Sequence, residues 1–552
     1  MRNRERLNPR ATERSFGALH FSALLVLSLY LLSPLAYQAW IGGWRGMRDV
    51  LFAFNLLTSL LWLALAYFVS QRPLVMHLLL APLYLTTAVD LFLCATFGAR
   101  LSSGYVNIAL TDHADAMEFL SAYTLPVAVA AGVLILVYLP CLCVLRHLRK
   151  PRSPRLALAM GMLLIAIYGL AVGRSIWAGN TTERAVLDLV AHENGAPMGA
   201  LAQSALALKL HSDSGALRAQ RRHFSFGATK APSAEEEIYV WVVGESARPT
   251  NWSMFGYARD TTPLLRATPG IIALPNMLTT APHTAVAVPS MLSLRPITDW
   301  SSVQAESSIV SAFNEAGFKT YWLSMQDADS WSGIIPQVAA EARRRRYFDR
   351  GFDGTLLAEF RQILRDAPRG GHLLIVLHTK GSHFDYARRY PAEFAKFTTP
   401  GGTRRDAVVD AYDNSILYTD WFLSEVISSL ASRKTQSTLF YASDHGENLL
   451  DDEKQLMGHA LGNAYDLNTA AFVWLSDAAR LAHPEKVINA ERHRTEMLSL
   501  SNLPHTMLDL AGISAKGFDA GMSLVAPGFV SRPRSYIVRG ALRHEQAASS
   551  AR

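Results

Sequence analysis

Three short apolar runs in this chain each end in groups that could hold a metal ion or move a proton. Ile238–Val243 passes through Gly244 into Glu245. Leu373–Leu377 runs into His378. Thr438–Ala442 delivers Ser443, Asp444, His445, Gly446 and Glu447 in succession. Carboxylates and an imidazole gathered at one place suit a divalent cation or acid–base work. A plainer role stays open for Glu245 and Asp444, as caps of the helices that follow them.

The residues before these groups say how they are positioned. Continuous runs rich in β-branched and aromatic residues, closed by a turn residue, predict strands buried on both faces of a parallel sheet. In an open α/β sheet the ligand sits in the crevice beyond the carboxyl ends of the strands. That is where all three clusters fall. From about residue 238 to 532, strand and helix signals alternate as in one α/β domain, and the stretch from Pro533 is expected to be a disordered tail.

A chain of 552 residues is long for one domain, and its composition is uneven. Hydrophobic residues make up 50% and charged residues 18%, with a formal net charge of +7. No aromatic-basic stripe accompanies that charge, so nucleic acid is not expected as a partner. Basic loops beside apolar segments suit anionic lipid headgroups better. Cys94, Cys141 and Cys143 all lie in the N-terminal third, which leaves the downstream domain without a disulfide or a cysteine-based metal site.

Five apolar segments precede residue 180, near 16–38, 50–70, 75–97, 124–145 and 156–177. Each approaches the ~20 residues needed to cross a hydrocarbon core as a helix. Arginines crowd the N-terminus and the 146–155 loop, whereas Asp112, Asp115 and Glu118 mark the loop after the third segment. By the distribution of basic residues the N-terminus is cytoplasmic, and everything after Trp177 lies on the outer side of the membrane. The predicted organisation is a five-helix transmembrane domain over 1–178, an amphipathic bridging segment over 179–237, and the α/β domain with its mostly parallel sheet.

Longer motifs sharpen this. The segments ESARPTNWSMFGYARDTTPLL, TTAPHTAVAVPSMLS, HTKGSHFDYARRYP, YDNSILYTDWFLSEVI and SDHGEN occur in that order. With the five apolar segments they resemble the membrane phosphoethanolamine transferases of the alkaline phosphatase and sulfatase superfamily. The resemblance covers nearly the whole chain. It implies phosphatidylethanolamine as donor, a lipopolysaccharide acceptor (core or lipid A), a multi-pass inner-membrane protein with a periplasmic catalytic domain, and Zn²⁺ as cofactor, although a donor set so rich in oxygen would also hold Mn²⁺.

Carried over position by position, the resemblance places the metal ligands on Glu245, Thr284, Asp444 and His445, with Thr284 also the nucleophile. The chemistry is coherent, because a threonine hydroxyl needs a cation to make its alkoxide accessible near neutral pH. A simpler role for Thr284 is the N-cap of the following helix. His383 and His459 match histidines assigned to substrate phosphate or acid–base work, and His378 could assist them. Asn107, Thr111 and Asp115 match an Asn/Thr/Glu pattern that would meet the donor headgroup. Their four-residue spacing shares one face if the stretch is helical.

The chain departs from the family in two respects. It lacks the cysteines that many relatives carry beside the nucleophile, and no lysine in QDADSWSGIIPQ matches one that contacts phosphate in lipid A-directed members. The PHT, AGFKTYW and GSHFDYARRYP segments are more like the branch acting on core heptose phosphate, for which Arg343–Arg346, Arg388 or Arg389 could hold an anionic acceptor. A monomer is expected. A phosphoglycerol transferase or phosphodiesterase on the same scaffold, and a non-catalytic membrane sensor, are the competing functions.

Overall fold

The computed structural model describes residues 223–545, except Ala234, 327–333, Asp349, 452–454 and Arg539. Upstream it describes chiefly the helices α1 (Pro73–Phe97), α2 (Thr124–Leu145) and α3 (Pro154–Trp177), with short stretches elsewhere. The chain forms two compact units, the larger containing residues 212–552.

In the smaller unit, Thr124–Cys141 and Pro154–Arg174 are long and apolar enough to cross a membrane. Their side chains face outward, with Leu136 75% and Ile165 74% exposed. Exposed apolar surface of that extent is stable against lipid tails, not water. The third predicted segment coincides with α1, whose apolar stretch Leu80–Thr96 is shorter. Within the first segment Leu25–Pro34 is a shorter apolar helix, and most of the second lies outside the described residues, so five spans are not established.

The larger unit is built on a mixed sheet. Its strands are β1 (Glu237–Gly244), β2 (Ile271–Ala273), β3 (Lys319–Ser324), β4 (Arg344–Tyr347), β5 (His372–His378), β6 (Gln436–Ser443) and β7 (Ala471–Leu475). They lie in the order β2-β7-β6-β1-β5-β3-β4. Neighbours from β6 to β4 are parallel, while β7 runs antiparallel to both β6 and β2. All eight residues of β1 are buried, as a central strand covered on both faces requires. Alternation splits its side chains. Tyr239, Trp241 and Val243 join a core with Trp322, Phe313 and Phe440, and Ile238, Val240 and Val242 join one with Phe360, Tyr412 and Phe422. Helix α6 (Arg404–Ala431) supplies Tyr412 and Phe422, and its start is set by a Thr403/Asp406 capping box.

At the far edge of the sheet, β4 carries the exposed residues Arg344, Arg345 and Arg346. Charge on an edge strand discourages further pairing. Arg346 is tied to Glu359 and Arg344 lies over the Tyr321 ring, 6.0 Å from its centroid. The expected tail is partly ordered. Ser535–Val538 and Ala541–His544 pair as a hairpin. It is held because Arg534 binds Glu545 and donates to the carbonyls of Asn276 and Leu498, and Ile537 N donates to Thr280 O. Single-strand periodicity near the C-terminus does not reveal those long-range partners.

Candidate metal and nucleophile site

β1 and β6 are adjacent and parallel, so Glu245 and Asp444 emerge side by side. Their loops are tied together: Asp444 N donates to Gly244 O, Ser382 N to Glu245 O, and Ala247 N to Ser443 Oγ. Helix α4 (Thr284–Met291) brings in the hydroxyl. Thr284 is the first residue of that helix and extended His283 occupies the N-cap, so the capping role considered for Thr284 is not the one it has.

Thr284 Oγ1 lies 3.3 Å from Glu245 Oε2 and 3.4 Å from His445 Nε2. The same Nε2 is 3.4 Å from Glu245 Oε1 and 3.4 Å from Asp444 Oδ2. Glu245, Asp444 and His445 are all buried, and one ligand atom from each lies within 4.8 Å of the others. His445 Nδ1 donates to Gly446 O at 2.8 Å, which leaves the Nε2 lone pair facing the carboxylates. Gly446 has no side chain because any Cβ would meet the carbonyls of Tyr465 and Asn468.

The electrostatics call for a cation. Burial, then the charge on Glu245, push the Asp444 carboxyl well above its ordinary range. Burial and the neighbouring histidines hold the His445 imidazole well below its own. Among the described residues Asp444 Oδ2 is buried with no hydrogen bond of normal geometry, whereas Oδ1 accepts from Ser246 N and His445 N. A divalent ion among Glu245, Thr284, Asp444 and His445 would reverse both penalties. The oxygen and nitrogen donor set fits Zn²⁺.

Side chains behind these groups hold them in orientation. Ser246 Oγ donates to Glu245 Oε1 at 2.7 Å, and Gln326 Nε2 lies 3.4 Å from Glu245 Oε2. Lys380 Nζ donates to Gln326 Oε1 at 2.9 Å. The loop after β5 is held by buried Asp353, which accepts from Lys380 N at 2.7 Å and Gly381 N at 2.9 Å. Gly381 packs on the backbone of Glu245.

His459 stands beside His445, with ring centroids 4.2 Å apart, and His383 is 6.0 Å from His459. His459 Nδ1 is 3.0 Å from Glu447 Oε2, and Tyr386 OH donates to Glu447 Oε1 at 2.8 Å. Burial opposes charge on His459, but the carboxylates, Glu447 foremost, outweigh it and lift its pKa to about 9. His445, Glu447 and His459 form a second group of metal-competent atoms. His378 goes elsewhere: its ring packs edge-on against Trp322 at 5.7 Å, and burial with nearby Lys380 lowers its pKa to about 3. Asn107, Thr111 and Asp115 lie outside the described residues.

Motif reading names Glu447 among the groups at the third strand end without giving it a role, and it misses Gln326, Asp353 and Tyr386 as contributors. Glu447 was within reach, standing three residues after Asp444 in SDHGEN. Asp353 and Gln326 carry no local signal, since Asp353 meets Lys380 and Gly381 27 and 28 residues away and Gln326 meets Glu245 81 residues away.

The model for the sulfatase family matches residues 237–513, and the chain belongs to that family, within the alkaline phosphatase superfamily. More particularly, it is similar to phosphoethanolamine transferase EptC of Escherichia coli O18:K1:H7, at 26% identity over 543 residues, covering 91% of this chain and 90% of that protein. It also resembles the zinc complex of the C-terminal periplasmic domain of Escherichia coli EptC. There identity is 25% and the TM-score 0.53, covering 58% of this chain and 96% of that one. The integral membrane protein lipooligosaccharide phosphoethanolamine transferase A of Neisseria meningitidis shares the fold at 22% identity and TM-score 0.69, covering 92% of this chain and 98% of that one.

Proposed function

We propose that this protein is a zinc-dependent phosphoethanolamine transferase. It moves phosphoethanolamine from phosphatidylethanolamine to a lipopolysaccharide acceptor, core heptose phosphate in preference to lipid A, through a covalent intermediate on Thr284. The observation that carries this is the gathering of Thr284 Oγ1 within 3.4 Å of both Glu245 and His445, with the His445 Nε2 also 3.4 Å from buried Asp444 Oδ2. The names of the relatives supply the substrate class.

Glu245, Thr284, Asp444 and His445 would hold zinc, whose charge makes the Thr284 alkoxide accessible. Thr284 Oγ attacks the donor phosphorus, forming an O–P bond while the bond to diacylglycerol oxygen breaks. With Nδ1 engaged by Glu447, His459 can present an Nε2 proton to that leaving oxygen. An acceptor phosphate oxygen then attacks the phosphothreonine, and Thr284 leaves as alkoxide. His383, whose ring centroid is 6.0 Å from that of His459, would bind a phosphoryl oxygen. Asn107, Thr111 and Asp115 would meet the donor headgroup, with five spans carrying the catalytic domain to the periplasmic side.

The test is mass spectrometry of the Thr284 peptide after incubation with phosphatidylethanolamine and no acceptor. A phosphoethanolamine adduct is expected, and Thr284→Ala should abolish both adduct and transfer while the protein still folds. Near wild-type turnover by that variant would overturn the nucleophile, and a phosphoglycerol adduct would replace the donor. Fractionating lipopolysaccharide into core and lipid A, then locating the added mass, decides the acceptor.

A further inference from the structure

We propose that a cleft at the opposite end of the sheet from Thr284 is a non-catalytic binding site for a phosphorylated saccharide. It lies between the C-terminal ends of α5 (Leu356–Asp366) and α6, and has a volume of about 450 Å³. Arg433 reaches both Glu236 and the carbonyls of Leu364 and Ala367, and Glu236 immediately precedes β1. Glu245 follows the other end of that strand, roughly 30 Å away at about 3.3 Å per residue. The cleft is thus a separate place on the catalytic unit.

Its lining is one-sided in chemistry. Arg361, Arg365, Arg369 and Arg433 line it with Ser429 and Ser432, and among the described residues no carboxylate does. Two of the arginines are explained by the fold. Arg433 is mostly buried and engaged by Glu236, and Arg361 binds Glu425 and donates to Ser429 Oγ at 3.2 Å. Arg365 and Arg369 are exposed and have no acidic partner within 4.0 Å among the described residues. Arg365 gains something from the carboxyl end of α5. Arg369 lies beyond that helix.

Two unpaired guanidinium forks facing a concave surface suit an oxyanion held by parallel N–H donors. At about 30 Å³ for each water displaced, the cleft holds much more than one inorganic phosphate. Ser429 and Ser432 donate their hydroxyl protons to the carbonyls of Glu425 and Ser429, at 2.7 and 2.8 Å, so their oxygens remain as acceptors for sugar hydroxyls. A phosphate on a saccharide uses both halves of this lining, and a bare phosphate uses only one.

The site does not depend on the transferase reading, because its occupancy can be measured without donor. The full chain in detergent is titrated calorimetrically with glucose 6-phosphate and, separately, with inorganic phosphate. Glucose 6-phosphate should bind saturably and weaken with added salt. Inorganic phosphate should bind less tightly. The Arg365→Gln/Arg369→Gln variant should lose about tenfold or more in affinity for the sugar phosphate, since it removes two charge-assisted contacts. It should keep the wild-type melting temperature and transferase rate. Hydrogen exchange should show new protection over 361–369 and 428–433. The proposal is overturned by absent binding, by unchanged affinity in the variant, or by equal affinity for inorganic phosphate. Protection confined to the Thr284 region, or arginine-dependent capture of phosphatidylglycerol vesicles in preference to the sugar phosphate, would overturn it too.

Discussion

Replacing Gly381 by alanine tests whether the loop after β5 sets the position of Glu245. Gly381 has φ +49°, and a Cβ there would stand 2.8 Å from Glu245 O, 3.0 Å from Glu245 Cβ and 3.0 Å from Glu245 N. These are not the far ends of flexible side chains, and Asp353 grips the loop from the other side through Lys380 N and Gly381 N. Gly317 serves as the control: its φ is +91°, and nothing lies within 4 Å of where a Cβ would stand. Alanine at Gly317 carries only the left-handed strain, about 1–2 kcal/mol. Alanine at Gly381 carries a comparable strain and in addition about 1–3 kcal/mol of overpacking. Urea unfolding should therefore separate the two variants by about 1–3 kcal/mol. The Glu245 carboxylate moves with its backbone, so zinc affinity measured by competition with a chelator should fall about 10–100-fold in Gly381→Ala, in line with disturbed ligand support. Gly317→Ala should bind zinc as wild type does. Equal stability loss and equal zinc affinity in the two variants would refute the claim that this contact positions the ligand.

Three further outcomes are expected. Glu447→Gln should reduce transfer by about 10–100-fold, through loss of the charged partner of His459, with Tyr386→Phe milder because it removes only one hydrogen bond to Glu447; equal rates in wild type and Glu447→Gln would remove Glu447 from the mechanism. Burial works against charge on Asp451, but Arg248, bonded at 2.5 and 3.2 Å, holds its carboxyl below the ordinary value. The folded pKa lies below the unfolded one, so the stabilisation is fully present above about pH 4 and is lost as pH falls through the folded value. Asp451→Asn should cost about 3 kcal/mol at pH 7, by stranding buried Arg248, and should flatten the acid limb of a stability–pH profile; an unchanged limb would refute the assignment. A reporter active only outside the cytoplasm should work when fused after Trp177 and fail when fused near Arg152, and the reverse pattern would place the catalytic unit inside the cell.

Much of this protein is legible in its sequence. Runs such as IYVWVVG read as doubly buried strands, because they are short, rich in β-branched and aromatic residues, closed by glycine, and show no polar side. The residue after such a run must then lie at the crest of the sheet, which is why Glu245, Asp444 and His445 stand out without coordinates. Local sequence also accounts for the apolar α2 and α3 and for the start of α6 at Thr403. What it cannot contain is the pairing across distance. His378 follows the same kind of run as Asp444 does, yet its ring turns onto Trp322, because alternation along β5 puts it on that face. Thr284 reads equally well as a cap, and only the packing of α4 near β1 brings its hydroxyl to Glu245, 39 residues earlier. Asp353 and Gln326 acquire their partners through parallel strands whose order, β1-β5-β3, departs from chain order. Periodicity identifies which side chains must be buried or placed at a strand end. Which of them meet is decided by sheet order and strand register, and those depend on contacts among residues tens to hundreds of positions apart.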